Sequence, residues 1–179
     1  MLKSQSTAAV YIITGIFVVL FSSCGISGED SFTETYVYNI NPQSEIISDT
    51  TSRQVGADSA ITVYTFSIEP GANLVFEYQR NVHPPDNVTD AGLVEDLVFQ
   101  IPTGTSSFEI RDEEFADANT FYRRGCFCPE SGAGFKVTDG FIEGETLSPN
   151  IWFVRADVSI SGFGREFDVT FEHTFRFNQ

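Results

Sequence analysis

The 179-residue chain is poor in cations, cysteine and histidine: 10 Lys and Arg stand against 25 Asp and Glu, with three Cys and two His. A net charge of −15 argues against nucleic acid as a partner, because phosphate is normally bound through clustered Lys and Arg. It also disfavours direct adsorption to anionic headgroups, and it says nothing about fold. Three cysteines cannot build a disulfide framework, so stability has to come from packing. Catalytic motifs are missing too. The chain has no G-x-S-x-G elbow, no Gly-rich phosphate loop and no C-x-x-C pair. Neither an enzyme nor a cofactor is implied. After the first two dozen positions there is no helix-period run of ten or more residues.

Phenylalanine is abundant, with 18 residues, and it falls in a pattern. In "REFDVTFEHTFRFNQ", Phe167, Val169, Phe171, His173, Phe175 and Phe177 alternate with Glu166, Asp168, Thr170, Glu172, Thr174 and Arg176. Period two is the mark of a half-buried strand. "NIWFVRADVSI" likewise puts Trp152, Val154, Ala156, Val158 and Ile160 on one face, and the glycines of "SGFGR" join the pair as a hairpin. Further strands are expected at "TETYVYNI", "AITVYTFSI", "NLVFEYQR", "EDLVFQI", "SFEIR", "TFYRRGCF" and "GFKVTDGFIEG". They are punctuated by "EPGAN", "HPPDN", "PTGTS" and "PESGAG". "DEEFADAN" predicts one short helix with Asp112 as its cap, and 41–59 reads as a polar loop. The expected fold is all-β, an antiparallel β-sandwich (Ig-like or similar), with a small β-barrel as the alternative; residues 34–179 form one domain.

The start of the chain has different grammar. Lys3 precedes an apolar run from Ala8 to Phe21, shorter than the about 20 residues that a spanning helix needs. A basic start, an apolar core and a small-residue exit compose a secretory leader. Phe21-Ser22-Ser23-Cys24 resembles the lipobox of bacterial lipoprotein precursors, with Phe where Leu is usual. That resemblance implies a signal peptide over 1–23, diacylglyceryl attachment to the Cys24 thiol, cleavage before it and acylation of the new amine. A single acyl chain holds only marginally, at roughly 0.8 kcal/mol per buried CH2, whereas several on one residue anchor durably. Gly25-Ile26-Ser27-Gly28-Glu29-Asp30 is similar to the acidic export signal of Bacteroidota lipoproteins. The expected location is therefore the outer membrane, lipid-anchored, with the outward face favoured over the periplasmic one and 24–33 as a lipidated flexible tether.

Within the body, "RRGCFCPESGAG" is the conspicuous motif. Cys126 and Cys128 point the same way in an extended strand, near the limit of disulfide reach, and Gly125 and Pro129 offer a bend that would close the gap. An intramolecular bridge, two packed thiols, and metal or intermolecular pairing are the three readings. As a zinc signal the pair falls short of four ligands. "EIRDEEFADAN" gathers Glu109, Asp112, Glu113, Glu114 and Asp117. Asp112, Glu114 and Asp117 are calcium candidates by ligand chemistry, but EF-hand spacing is absent and a solvated helix start explains them as well. His173 reads as a core or rim histidine, His83 as an exposed loop residue, and "NVT" at Asn87 as a glycosylation pattern of little meaning in a bacterial lipoprotein.

The function expected from these residues is a lipid-anchored envelope module with a non-enzymatic binding or structural role, partnered by membrane through its lipid and by protein or glycan. The alternatives are a calycin-like carrier of a small apolar ligand and an integral outer-membrane barrel.

Overall fold

β-Branched and aromatic residues hold most of the chain extended. The computed structural model describes residues 31–54, 59–86, 88 and 91–177, and these are mostly β. The strands are β1 (Thr33–Gln54), β2 (Ala60–His83), β3 (Leu93–Pro102), β4 (Ser107–Arg111), β5 (Phe121–Cys126), β6 (Gly134–Lys136), β7 (Asp139–Ser148), β8 (Ile151–Gly162) and β9 (Arg165–Phe177); the one helix among the described residues is α1 (Glu114–Asp117). The leader, Cys24 and Asn87 lie outside the described residues.

All nine strands join one sheet, ordered β3-β5-β6-β2-β1-β9-β8-β7-β4, with a further pairing of β3 to β2. That pairing closes β2, β3, β5 and β6 into a four-stranded ring, which the remaining strands flank. β1 lines one edge of β2 along its whole length, so β6 and β3 share the other edge. β6 meets it at Tyr64, opposite Gly134, and β3 meets it from Asn73 to Val82. Between the two contacts β2 is bulged at Pro70–Asn73, where β1 slips register at Pro42–Ser44 and Gln43 adopts a φ of 51°. A Cβ on Gly71 would lie 2.6 Å from Cβ of Glu45, so the bulge needs a glycine there. The Gln100 side chain accepts a 2.7 Å hydrogen bond from Ile46 N–H and ties the bulge to β3.

Pleat alternation gives β2, β3 and β5 two buried faces. On one, Leu74, Phe76, Tyr78, Leu97, Phe99, Ile101 and Tyr122 pack against Trp152, Val154, Ala156, Val158, Ile160, Phe167, Val169, Phe171 and Phe175 of the β8–β9 hairpin. Phe76 is the hub, 4.8 Å from Phe99, 5.5 Å from Trp152 and 5.6 Å from Phe175 between ring centres. On the other, Ile46, Val75, Val98 and Phe121 fill the ring, with Tyr64, Phe66 and Ile68 packed against them. The fold thus combines sandwich-like layering with a small closed barrel. The β8–β9 hairpin has the expected faces and turns through Phe163 and Gly164, both with positive φ, as a two-residue type I′ turn requires.

Four details differ from the sequence reading. The expected loop 41–59 is strand as far as Gln54, because Ser44–Gln54 pair residue by residue with Ala60–Pro70 of β2. "EPGAN" is a bulge inside β2 and not a turn between two strands. "GFKVTDGFIEG" splits into β6 and β7. Asp112 does not cap α1: it takes a φ of 49°, Glu113 occupies the cap position without a side-chain bond, and Glu114 accepts from Arg111 N–H.

Ring closure rests on Gly134, where a Cβ would lie 2.5 Å from the Tyr64 carbonyl oxygen, a backbone atom with nowhere to go. Gly134→Ala is expected to cost about 2–3 kcal/mol in denaturant unfolding. Gly125→Ala, whose Cβ would meet nothing nearer than 3.7 Å, is expected to change stability by no more than about 0.5 kcal/mol.

Candidate functional site

The strand registers set Arg80, Glu95 and Arg124 in one cross-strand row, and Gln79, Asp96 and Arg123 in the next. Adjacent rows lie on opposite faces, so the neighbouring acids Glu95 and Asp96 look into different surroundings.

Asp96 faces the mouth of the ring and is 5% exposed. Arg123 donates to it from Nε at 2.9 Å and from Nη2 at 2.6 Å, and Gln79 donates at 2.8 Å. The Arg123 guanidinium also lies 4.8 Å from the centre of the Phe66 ring. Together with Ser67, Ile68, Glu77 and Val98, these residues line a recess of about 250 Å³. Glu77 is half-buried there and takes a side-chain hydrogen bond from Asn41. Burial first, and the Asp96 charge second, hold its carboxyl above the usual carboxylate range. Two carboxylates therefore face one guanidinium, over a floor of Phe66, Ile68 and Val98.

The opposite row ends at the rim between the layers. Tyr122 donates a 2.6 Å hydrogen bond to Glu95, which also pairs with Arg80 at 3.0 Å, and Arg80 reaches Glu34 at 2.6 Å. Burial, then the bond to Glu95, pushes the Tyr122 phenol up, and burial does the same to Tyr78, so both hydroxyls stay protonated. Hydrogen bonds from Arg80 and Tyr36 pull Glu34 below its ordinary range. His173 keeps the register of Phe171 and Phe175 but is exposed at this rim, stacked 3.9 Å from Tyr38. His83 ends β2, with Nε2 3.2 Å from the Thr35 hydroxyl.

Beyond β5, Cys126 and Cys128 are joined by a disulfide with their Cα atoms 5.2 Å apart. Phe127 between them is 86% exposed. Glu130, 1% exposed, lies inside the following turn, 3.3 Å from Arg165 and 3.6 Å from Arg124. Cys126, Cys128 and Glu130 bring their ligand atoms within 4.8 Å of one another, the sole such trio among the described residues. Bridged sulfurs are not the thiolates a metal needs. The calcium candidates Asp112, Glu114 and Asp117 form no converging group. Asp112 borders a surface hollow shared with Lys136, and the Glu114 carboxylate is bound to Arg111 N–H.

A larger hollow of about 500 Å³ lies over β4, β7 and β8 between Phe108, Phe153, Glu109, Glu143, Glu145 and Arg155. Its charges are largely solvated, Glu109 and Glu145 being exposed, whereas the ring mouth holds buried ones. Among the described residues no helix is long and apolar enough to cross a membrane. No family model, no curated protein and no solved structure matches the chain.

The pairing of Asp96 with Arg123 escaped the sequence reading because Asp96 stands in no motif, Arg123 drew notice only through its neighbouring cysteines, and the register alone pairs them. Glu77 gives the site a pH signature. Its carboxyl is a weaker acid in the folded chain than in the unfolded one, so folding takes up protons across that interval. The contribution favours the folded state at low pH and is lost as pH climbs from the ordinary Glu range to the raised value. Glu77→Gln is thus expected to melt above the parent protein at pH 7, the gap closing below about pH 4 in calorimetry.

Proposed function

We propose that this chain is a non-enzymatic carrier: an envelope-tethered β domain that takes a small amphipathic cation into the mouth of its four-stranded ring. The observation that carries the reading is the recess itself. Its two carboxylates, Glu77 and Asp96, outnumber the single guanidinium of Arg123, which is bonded to Asp96. A cationic head would pair with Glu77, while an apolar body rests on Phe66, Ile68 and Val98. The interior below is filled by Ile46, Val75, Val98 and Phe121, which favours binding at the mouth over a deep calyx. A membrane-spanning barrel calls for at least about eight strands in its circuit, against the four that close here.

The tether is Cys24. The Phe21-Ser22-Ser23-Cys24 pattern supports lipid attachment at the outer membrane, and the mature chain of nine Lys and Arg against 25 acids would stay clear of anionic headgroups without it.

Titration with a dansyl-labelled alkylamine tests the site. Saturable binding is expected, weakened about tenfold, or about 1.4 kcal/mol, by Glu77→Gln and abolished by Ile68→Trp. Equal affinity for the matching dansyl carboxylate, or indifference to both substitutions, would refute the proposal. Mass spectrometry of the membrane form is expected to find Cys24 as an acylated first residue; an intact leader without fatty substituents would remove the anchor.

A further inference from the structure

We propose that the Cys126–Cys128 bridge is a thiol–disulfide exchange site that oxidises cysteine pairs in peptides or unfolded chains. The inference is independent of the ring mouth and rests on three features of the β5–β6 connection.

First, the loop has a scaffold that does not include the bridge. Arg53 donates to the carbonyl oxygens of Pro129 at 3.2 Å and Ser131 at 3.4 Å. Gly132 N–H donates to Arg124 O at 2.8 Å, and Ala133 N–H to Glu130 O at 3.0 Å. Glu130, buried, is clamped by Arg124 and Arg165. A disulfide between residues two apart closes the smallest of loops and removes little freedom from the unfolded chain. Its contribution to stability is small, so chemistry is the better explanation for it.

Second, the bridge is accessible, and the acid beside it is paired. Both cysteines are partly exposed and line an open hollow with Phe127, Pro129 and Ser131. The Glu130 carboxylate lies within 4.8 Å of both sulfurs, and Arg165 at 3.3 Å and Arg124 at 3.6 Å pair with it. With that carboxylate paired, a departing thiolate is not repelled, and a better leaving group speeds exchange. Third, Phe127 projects outward between the sulfurs, where it offers apolar contact to an extended peptide.

The reaction balances without a further reagent. A substrate thiol loses its proton to water, and its thiolate attacks one sulfur of the bridge. The Cys126–Cys128 bond breaks as a mixed disulfide forms, and the freed thiolate takes a proton from water. The substrate's second thiolate then attacks the mixed disulfide. The substrate leaves oxidised by two electrons, and Cys126 and Cys128 remain as a dithiol.

The test uses the full chain carrying Cys24→Ser, so that only this pair is counted. In graded glutathione buffers the pair is expected to open and close reversibly, read by maleimide mass-tagging, with the near-ultraviolet circular dichroism of the fold unchanged. A reduced two-cysteine peptide is expected to gain one disulfide per bridge opened. The single variants Cys126→Ser and Cys128→Ser are expected to trap mixed disulfides with the oxidised peptide. Phe127→Ala should slow the peptide severalfold and leave glutathione unaffected, whereas Arg165→Gln should slow both. The proposal is overturned if the bridge opens only in denaturant, if opening it unfolds the domain, or if the peptide is oxidised no faster than by the Cys126→Ser/Cys128→Ser double variant. Equal slowing of peptide and glutathione by Phe127→Ala would overturn the peptide as substrate.

Discussion

Burial of the central strands on both faces is the constraint from which the rest of the molecule follows. Leu74, Val75 and Phe76 are buried in succession, as are all five residues from Glu95 to Phe99. One face must meet the β8–β9 layer and the other must meet something else, and the ring is the solution: β2 bends, β5 and β6 close it, and Val75, Val98 and Phe121 find one another inside. Two carboxylates are carried into this environment by the backbone. A buried charge without a partner costs several kcal/mol, so each needs its own arginine. Arg80 and Arg124 stand beside Glu95, and Arg123 holds Asp96.

Much of this was legible in the residues, and what was not has a common cause. β8 and β9 announce themselves because each has one wet face, so their alternation is clean and their glycine turn is local. The chain's β class and its two anticipated architectures were readable from the same signal. By contrast, the outer half of β1, "SEIISDTTSRQ", is mostly exposed and polar, and looks like a loop. It is a strand because β2 offers it a partner for every residue, which composition does not record. Pro70 and Gly71 read as a turn since both favour one, yet here they supply a bulge that redirects a strand without ending it. Closure at Tyr64 and Gly134 joins residues seventy positions apart, and a lone glycine carries no sign of the carbonyl it must let pass.

The same limit governs the sites. "RRGCFCPESGAG" stood out because its cysteines are scarce and, two apart on a strand, point the same way. It did not show that Arg123 and Arg124 part company, one to the ring mouth and one to the buried Glu130. Scarcity of cations sharpens the point. Of eight arginines, Arg53, Arg80, Arg123, Arg124 and Arg165 all lie at the ring, its rim or the disulfide loop. In a chain so acidic, that concentration places most of the guanidiniums beside the carboxylates that the fold buries.

The two sites are also joined by construction. β5 has six residues, and it carries Arg123 to the mouth, Arg124 to Glu130 and Cys126 to the bridge. The chain then has only the seven residues from Phe127 to Ala133 in which to reverse and deliver Gly134 against Tyr64. A turn that short has few ways to satisfy its backbone. Glu130 turned inward between two arginines, with Arg53 reaching across from the β1–β2 hairpin to the carbonyls of Pro129 and Ser131, is one of them. The polar network that shapes the cysteine loop is therefore also the one that delivers Gly134 to close the ring, with packing and charge acting alongside the disulfide.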